Sequence, residues 1–205
     1  LPVLRTRLDD PSVIPIVARA YDELGLSERA LTALAKDFAI GGQEAFYAPE
    51  AELELARLYY KSNRYYDALR TLSNAKSRDY SQRIKPDILF LEAKIRLDLG
   101  ESDLAVEAFE QVVRYPKYRQ KAYWYLGFIA GEDGDCDSAV SYLQPVLLPV
   151  DSSTSDNPLG YFYLSKCLAQ VGNKALATEV ATIFEQLSDE LDEQEHARYL
   201  QADYG

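Results

Sequence analysis

Leu126-Gly127-Phe128-Ile129-Ala130-Gly131-Glu132-Asp133-Gly134-Asp135-Cys136-Asp137-Ser138-Ala139 is the stretch that decides the fold. In it a small residue, Gly127, is followed seven positions later by a turn residue, Gly134, and five positions after that by Ala139. The same order recurs four more times, from Ala18 to Gly25, Ala56 to Asn63, Ala93 to Gly100 and Ser165 to Gly172. The alanine that follows each turn stands at 30, 68, 105, 139 and 177, so the repeat intervals are 38, 37, 34 and 38 residues.

Both halves of each unit carry apolar residues at helical spacing, as in Tyr123, Leu126, Gly127 and Ala130, and then Ala105, Phe109 and Val112. Two helices per unit follow. Pro11, Pro49, Pro86 and Pro158 stand at or just before the start of the first helix, where a missing amide donor costs nothing. Gly25, Asn63, Gly100, Gly134 and Gly172 mark the turn between helices, because Gly and Asn tolerate the left-handed conformation that ends a helix. The small residue and the alanine have a packing reason: two closely crossing helices need small side chains at the crossing.

Spacing near 34 residues, the small residue, the turn glycine and the anchoring alanine together resemble the tetratricopeptide repeat (TPR). The resemblance covers about residues 11–190 and is closest in the unit 120–153, through Tyr123, Leu126, Gly127, Gly134, Ala139 and Leu143. It implies an all-α, right-handed superhelical solenoid of helix–turn–helix hairpins. A single domain over 1–205 is expected, with units of about 11–44, 49–82, 86–119, 120–153 and 158–190 and a C-terminal capping helix over about 191–205. Glu92 and Arg96 depart from the pattern, as does Asp37, which stands where an apolar residue is usual. Asp151 to Asn157, between Pro145 and Pro158, reads as a loop. The segment Leu1-Pro2-Val3-Leu4 is compatible with a chain end or with the cut edge of a longer array.

Composition narrows the function classes. With 33 acidic against 22 basic side chains the formal charge is −11, which opposes the counterion release that drives nucleic-acid binding. No run approaches the length of a membrane helix, so direct membrane insertion is not expected. His196 in the acidic tail is the only histidine, so no nucleophile–histidine pair is expected, and no glycine-rich phosphate loop follows a strand. The chain reads as a non-enzyme without metal or cofactor. Asp133, Asp135 and Asp137 alternate as at the start of a calcium loop, but Ser138 and Gln144 stand where glycine and glutamate are required. Cys136 and Cys167 read as two small buried hydrophobes in preference to one optional disulfide, which stays open. Compartment is undetermined, periplasm and cytoplasm of a bacterium both fitting.

If the TPR register holds, the first helices line a concave groove. Eleven residues before each alanine stand Arg19, Arg57, Lys94, Phe128 and Lys166; fifteen before stand Pro15, Leu53, Phe90, Trp124 and Phe162; Tyr60 and Leu97 lie eight before. Leu53 and Pro15 fit a core role equally well. The expected partner-binding set is Arg57, Tyr60, Phe90, Lys94, Leu97, Trp124, Phe128, Phe162 and Lys166. Flat apolar anchors beside cations suit a protein or peptide carrying acidic and hydrophobic residues. Leu53, Arg57 and Leu91 occupy sites where TPR proteins that grip a terminal carboxylate need Lys and Asn, so that clamp is not expected. An adaptor or scaffold is the leading expectation; the alternative is a structural piece of a larger bacterial envelope, secretion or polysaccharide-export assembly.

Overall fold

A computed structural model describes residues 20, 24, 25, 49–76, 83–148 and 158–189. Among these every regular element is a helix, in the order α1 (Pro49–Lys61), α2 (Tyr65–Lys76), α3 (Lys85–Asp98), α4 (Ser102–Val112), α5 (Arg119–Asp133), α6 (Cys136–Leu147), α7 (Pro158–Gln170) and α8 (Lys174–Asp189). The pairs α1–α2, α3–α4, α5–α6 and α7–α8 are the hairpins expected from the repeat. Most of the first unit and the whole of the 191–205 cap lie outside the described residues.

One turn recurs at all four junctions. The amide of the residue just past the turn reaches back five positions to the preceding helix, from Arg64 to the Tyr59 carbonyl (2.8 Å), Glu101 to Arg96, Asp135 to Ala130 and Asn173 to Leu168 (each 2.9 Å). This 6→1 bond satisfies a carbonyl that the helix end would otherwise leave unpaired, and it requires a left-handed residue before it. Asn63 (φ 56°) and Gly100, Gly134 and Gly172 (φ 72°, 77° and 92°) supply that conformation.

The chain divides into two compact units, Leu1–Ala108 and Phe109–Gly205. In the first, Leu55, Leu58, Leu72, Ile88 and Ile95 form the core, with the anchoring Ala68 and the small Ala56 fully buried beside them. The two departures from the repeat pattern have electrostatic partners here: Glu92 pairs with Lys76 of α2, and Arg96 with Glu101 just past the turn. Leu53, four per cent exposed, belongs to this core.

In the second unit the helices approach closely because glycines remove side chains at the crossings. A Cβ added at Gly127 would overlap Leu143 of α6, and one at Gly131 would lie 2.8 Å from the Cβ, Cγ and Cδ1 of Tyr163. The core is built from Leu143, Leu147, Tyr161, Leu164, Leu168 and Val180. Helix α6 runs through Pro145 and ends two residues later at Leu147.

Asp135 caps α6, its Oδ1 accepting from the Ser138 amide at 3.2 Å. Hydrogen bonds from Ser138, side chain first and backbone second, hold its carboxyl below the ordinary carboxylate range. A folded-state pKa lowered in this way contributes stability above the unfolded value, of about 4, which is lost as pH falls through the folded value. Asp135→Asn retains an oxygen acceptor but has no titration, so its denaturation midpoint should lack the part of the acid-side decline that Asp135 contributes. Paired acid titrations of the two proteins, followed by circular dichroism, check this. The capping role also accounts for Asp135 without calcium, and no metal-ligating cluster is found among the described residues.

Candidate functional site

The expected binding residues fall into two sets, one in each compact unit. In the first unit Arg57 and Tyr60 project from α1, and Phe90, Lys94 and Leu97 from α3. All five are half-buried. The Arg57 guanidinium donates to Glu54 Oε1 on its own helix (3.4 Å) and to Asp87 Oδ1 on α3 (3.2 Å). Lys94 Nζ lies 5.0 Å from the centroid of the Tyr60 ring, which in turn stands 5.9 Å from that of Tyr65. The first set is therefore a mixed surface in which the Arg57 charge is already met by two carboxylates.

Sequence reasoning passed over Asp87, although its place was legible: it stands two helical turns before Lys94 and so on the same face of α3. Arg19 and Pro15 lie outside the described residues.

The second set differs in character. Trp124 and Phe128 on α5 and Phe162 and Lys166 on α7 are brought together around Tyr163, a ring that the spacing argument did not single out. Phe128 stacks on Trp124 (centroids 5.4 Å apart, 8° between planes) and meets Tyr163 edge-on at 5.5 Å. Phe162 meets Tyr163 edge-on at 5.1 Å and lies tilted by 52° against Phe184 of α8, centroids 5.6 Å apart. Such offset and edge-to-face pairs are preferred by the ring quadrupoles and fix the rings relative to one another. Lys166 is exposed, with Nζ 5.9 Å from the Phe162 centroid and 5.8 Å from that of Tyr163. It has no carboxylate partner among the described residues.

Trp124 occupies a different place from the one its register suggests. Its side chain is 9 % exposed and sits in the core, with Nε1 buried, turned toward Gly160 and without a hydrogen-bond partner. The absence of a side chain at Gly160 makes the room for the indole. Trp124 is thus the floor on which Phe128 rests, while Phe128, Phe162 and Lys166 form the accessible part.

Cys136 and Cys167 are buried, as small hydrophobes would be, but they are joined by a disulfide, which corrects the reading of two independent thiols. No helix among the described residues is long and apolar enough to cross a membrane.

No protein-family profile matches the sequence, and no curated protein does. Solved structures do. The chain is similar to MamA from Desulfovibrio magneticus RS-1 (residues 41 to the end), with a TM-score of 0.67, 17% identity and coverage of 89% of this chain and 97% of that one. It is similar to a kinesin light chain protein of Podosopora anserina with nearly identical TPR-like repeats, at a TM-score of 0.64, 20% identity and coverage of 89% and 96%. It is also similar to YrrB, a TPR protein with an unusual peptide-binding site, at 0.64, 15% and coverage of 97% and 96%. The fold is that of the TPR proteins, all-α and built of repeated helical hairpins.

Proposed function

Starting from the TPR fold, we propose that this chain is a non-catalytic adaptor that holds a segment of another protein against the aromatic face of α5 and α7, the first helices of the hairpins in its second unit. The observation that carries the reading is Lys166, a solvent-exposed cation seated on a platform of fixed aromatic rings and lacking an internal carboxylate partner among the described residues. A bound carboxylate would complete its charge, and the half-buried Phe128 and Phe162 would take an apolar side chain one or two residues away. The preferred segment is accordingly acidic and apolar. The Arg57, Tyr60 and Lys94 surface is assigned a secondary part, since Arg57 is already neutralised by Glu54 and Asp87. That YrrB has a peptide-binding site agrees with this use of the fold. No observation favours the assembly-subunit alternative over it.

The test is an array of peptides in which Asp or Glu alternates with Leu or Phe, probed with the wild-type chain and with the double variant Phe162→Ala/Lys166→Glu. Loss of one aromatic anchor and reversal of one charge should weaken binding by about tenfold or more, corresponding to about 1.4 kcal/mol or greater. Trp124→Ala is the wrong probe, because it empties the core beneath the platform. If the double variant folds normally and captures the same peptides equally well, the platform is not the binding face.

A further inference from the structure

We propose that Cys136 and Cys167 are an oxidisable thiol pair, Cys136 the entry residue and Cys167 the resolving one, whose closure clamps one TPR hairpin covalently to the next. The two residues lie on different hairpins, Cys136 at the first position of α6 and Cys167 one residue into the last turn of α7, and their Cα atoms are 4.7 Å apart. That separation lies within the range that a disulfide spans without moving the backbone. They are the only two cysteines in the chain, so no competing pairing exists within it. Together with Ala139 they form a small apolar cluster, flanked by Ala130 and Val140, where α5, α6 and α7 meet.

The two cysteines differ in exposure. Cys136 is 8 % exposed, at the end of its helix beside the turn, whereas Cys167 is fully buried at 0 %. An external oxidant therefore meets Cys136 first. The Cys136 thiolate attacks one sulfur of a small-molecule or protein disulfide, breaking that bond and releasing one oxidant thiol. The Cys167 thiol then attacks the Cys136 sulfur of the mixed disulfide and expels the second oxidant thiol, which takes up the Cys167 proton as it leaves. Two electrons pass from the protein thiols to the oxidant disulfide, which leaves as two thiols. Once closed, the bond is open to attack only from the Cys136 side, because Cys167 is fully buried. A pair so enclosed suits a chain that works on the oxidising side of a membrane, where disulfides form and persist.

The full chain, refolded in the reduced state and then exposed to oxidised glutathione, tests the order of events by intact mass and maleimide tagging. Wild type should end with no free thiol and no glutathione attached. Cys167→Ser should accumulate glutathione on Cys136, and Cys136→Ser should react about tenfold more slowly or less, because Cys167 becomes reachable only through local opening of α7. Equal labelling of the two single variants, or a stable glutathione adduct on wild type, overturns the entry and resolving roles. The clamp is tested separately on unmutated protein: reduction should lower the denaturation midpoint of wild type and leave that of Cys136→Ala/Cys167→Ala unchanged. A wild-type midpoint indifferent to reductant overturns the clamp.

Discussion

Phe109→Ala is expected to lower the stability of the second compact unit by about 3–5 kcal/mol, more than any single surface change. Phe109 is completely buried and its ring stacks on that of Tyr125 with centroids 4.8 Å apart and 7° between planes. Truncation forfeits the transfer free energy of the ring, leaves a cavity that the surrounding helices fill only in part, and removes an aromatic pair. A domain of this size holds only about 5–15 kcal/mol in total, so the unit should be near the limit of folding at ordinary temperature. Phe109→Leu keeps most of the volume and should cost under about 1.5 kcal/mol.

The readout is built into the sequence. Trp124 is the chain's only tryptophan and is buried in the same unit, so its fluorescence in urea follows this unit. A shift below about 1 kcal/mol for Phe109→Ala would contradict this packing.

The same residue spacing was informative about some features and silent about others, and the difference is physical. Asn63, Gly100, Gly134 and Gly172 were legible because a left-handed turn is a requirement of local backbone chemistry, visible in the residue type alone. Ala68, Ala105 and Ala139, all fully buried, were legible for a similar reason, since a close helix crossing admits few residues.

Depth was not legible. Leu53, Phe90, Trp124 and Phe162 share one register, yet Leu53 and Trp124 are core residues while Phe90 and Phe162 are half-buried. Register fixes the face of a helix, but what lies over that face depends on another helix, as Gly160 does for Trp124.

The Arg57 pairing was missed because charge was counted along one register only. Asp87 stands on the facing helix, two turns from Lys94, and Glu54 one turn back on α1. The disulfide was a different kind of miss. Successive helices in such an array run antiparallel, so the start of α6 and the end of α7 lie at the same end. A cysteine in each could have been paired from topology, whereas burial alone favoured two separate thiols.

Gly127→Ala and Gly131→Ala should each destabilise the second unit, against the ordinary preference of helices for alanine. In an exposed helix the change from glycine to alanine gains about 1 kcal/mol. Here the new methyl at 127 overlaps the Leu143 side chain near its branch point and lies 3.2 Å from the Leu143 amide nitrogen, so α6 itself must move. At 131 the methyl meets the base of Tyr163, which cannot swing away because its ring is held between Phe128 and Phe162. Overpacking of this kind costs about 1–3 kcal/mol, and with backbone on the far side the upper part of that range applies, leaving a net loss.

Gly134→Ala should also destabilise, but for another reason: nothing lies within 4 Å of its added Cβ, and the penalty is the positive φ of 77°, about 1–2 kcal/mol. The two causes separate on a second substitution. Gly134→Asn should recover most of the loss, as Asn63 already occupies the equivalent turn, whereas asparagine at 131 would be worse than alanine. Conversely, Tyr163→Ala should partly rescue Gly131→Ala in a double-mutant cycle and leave the cost of Gly134→Ala unchanged. Urea denaturation of the full set decides it. Additivity between 131 and 163 would mean that α5 and α7 are not in the contact that brings Phe128 against Tyr163, and that side of the aromatic platform would fall with it.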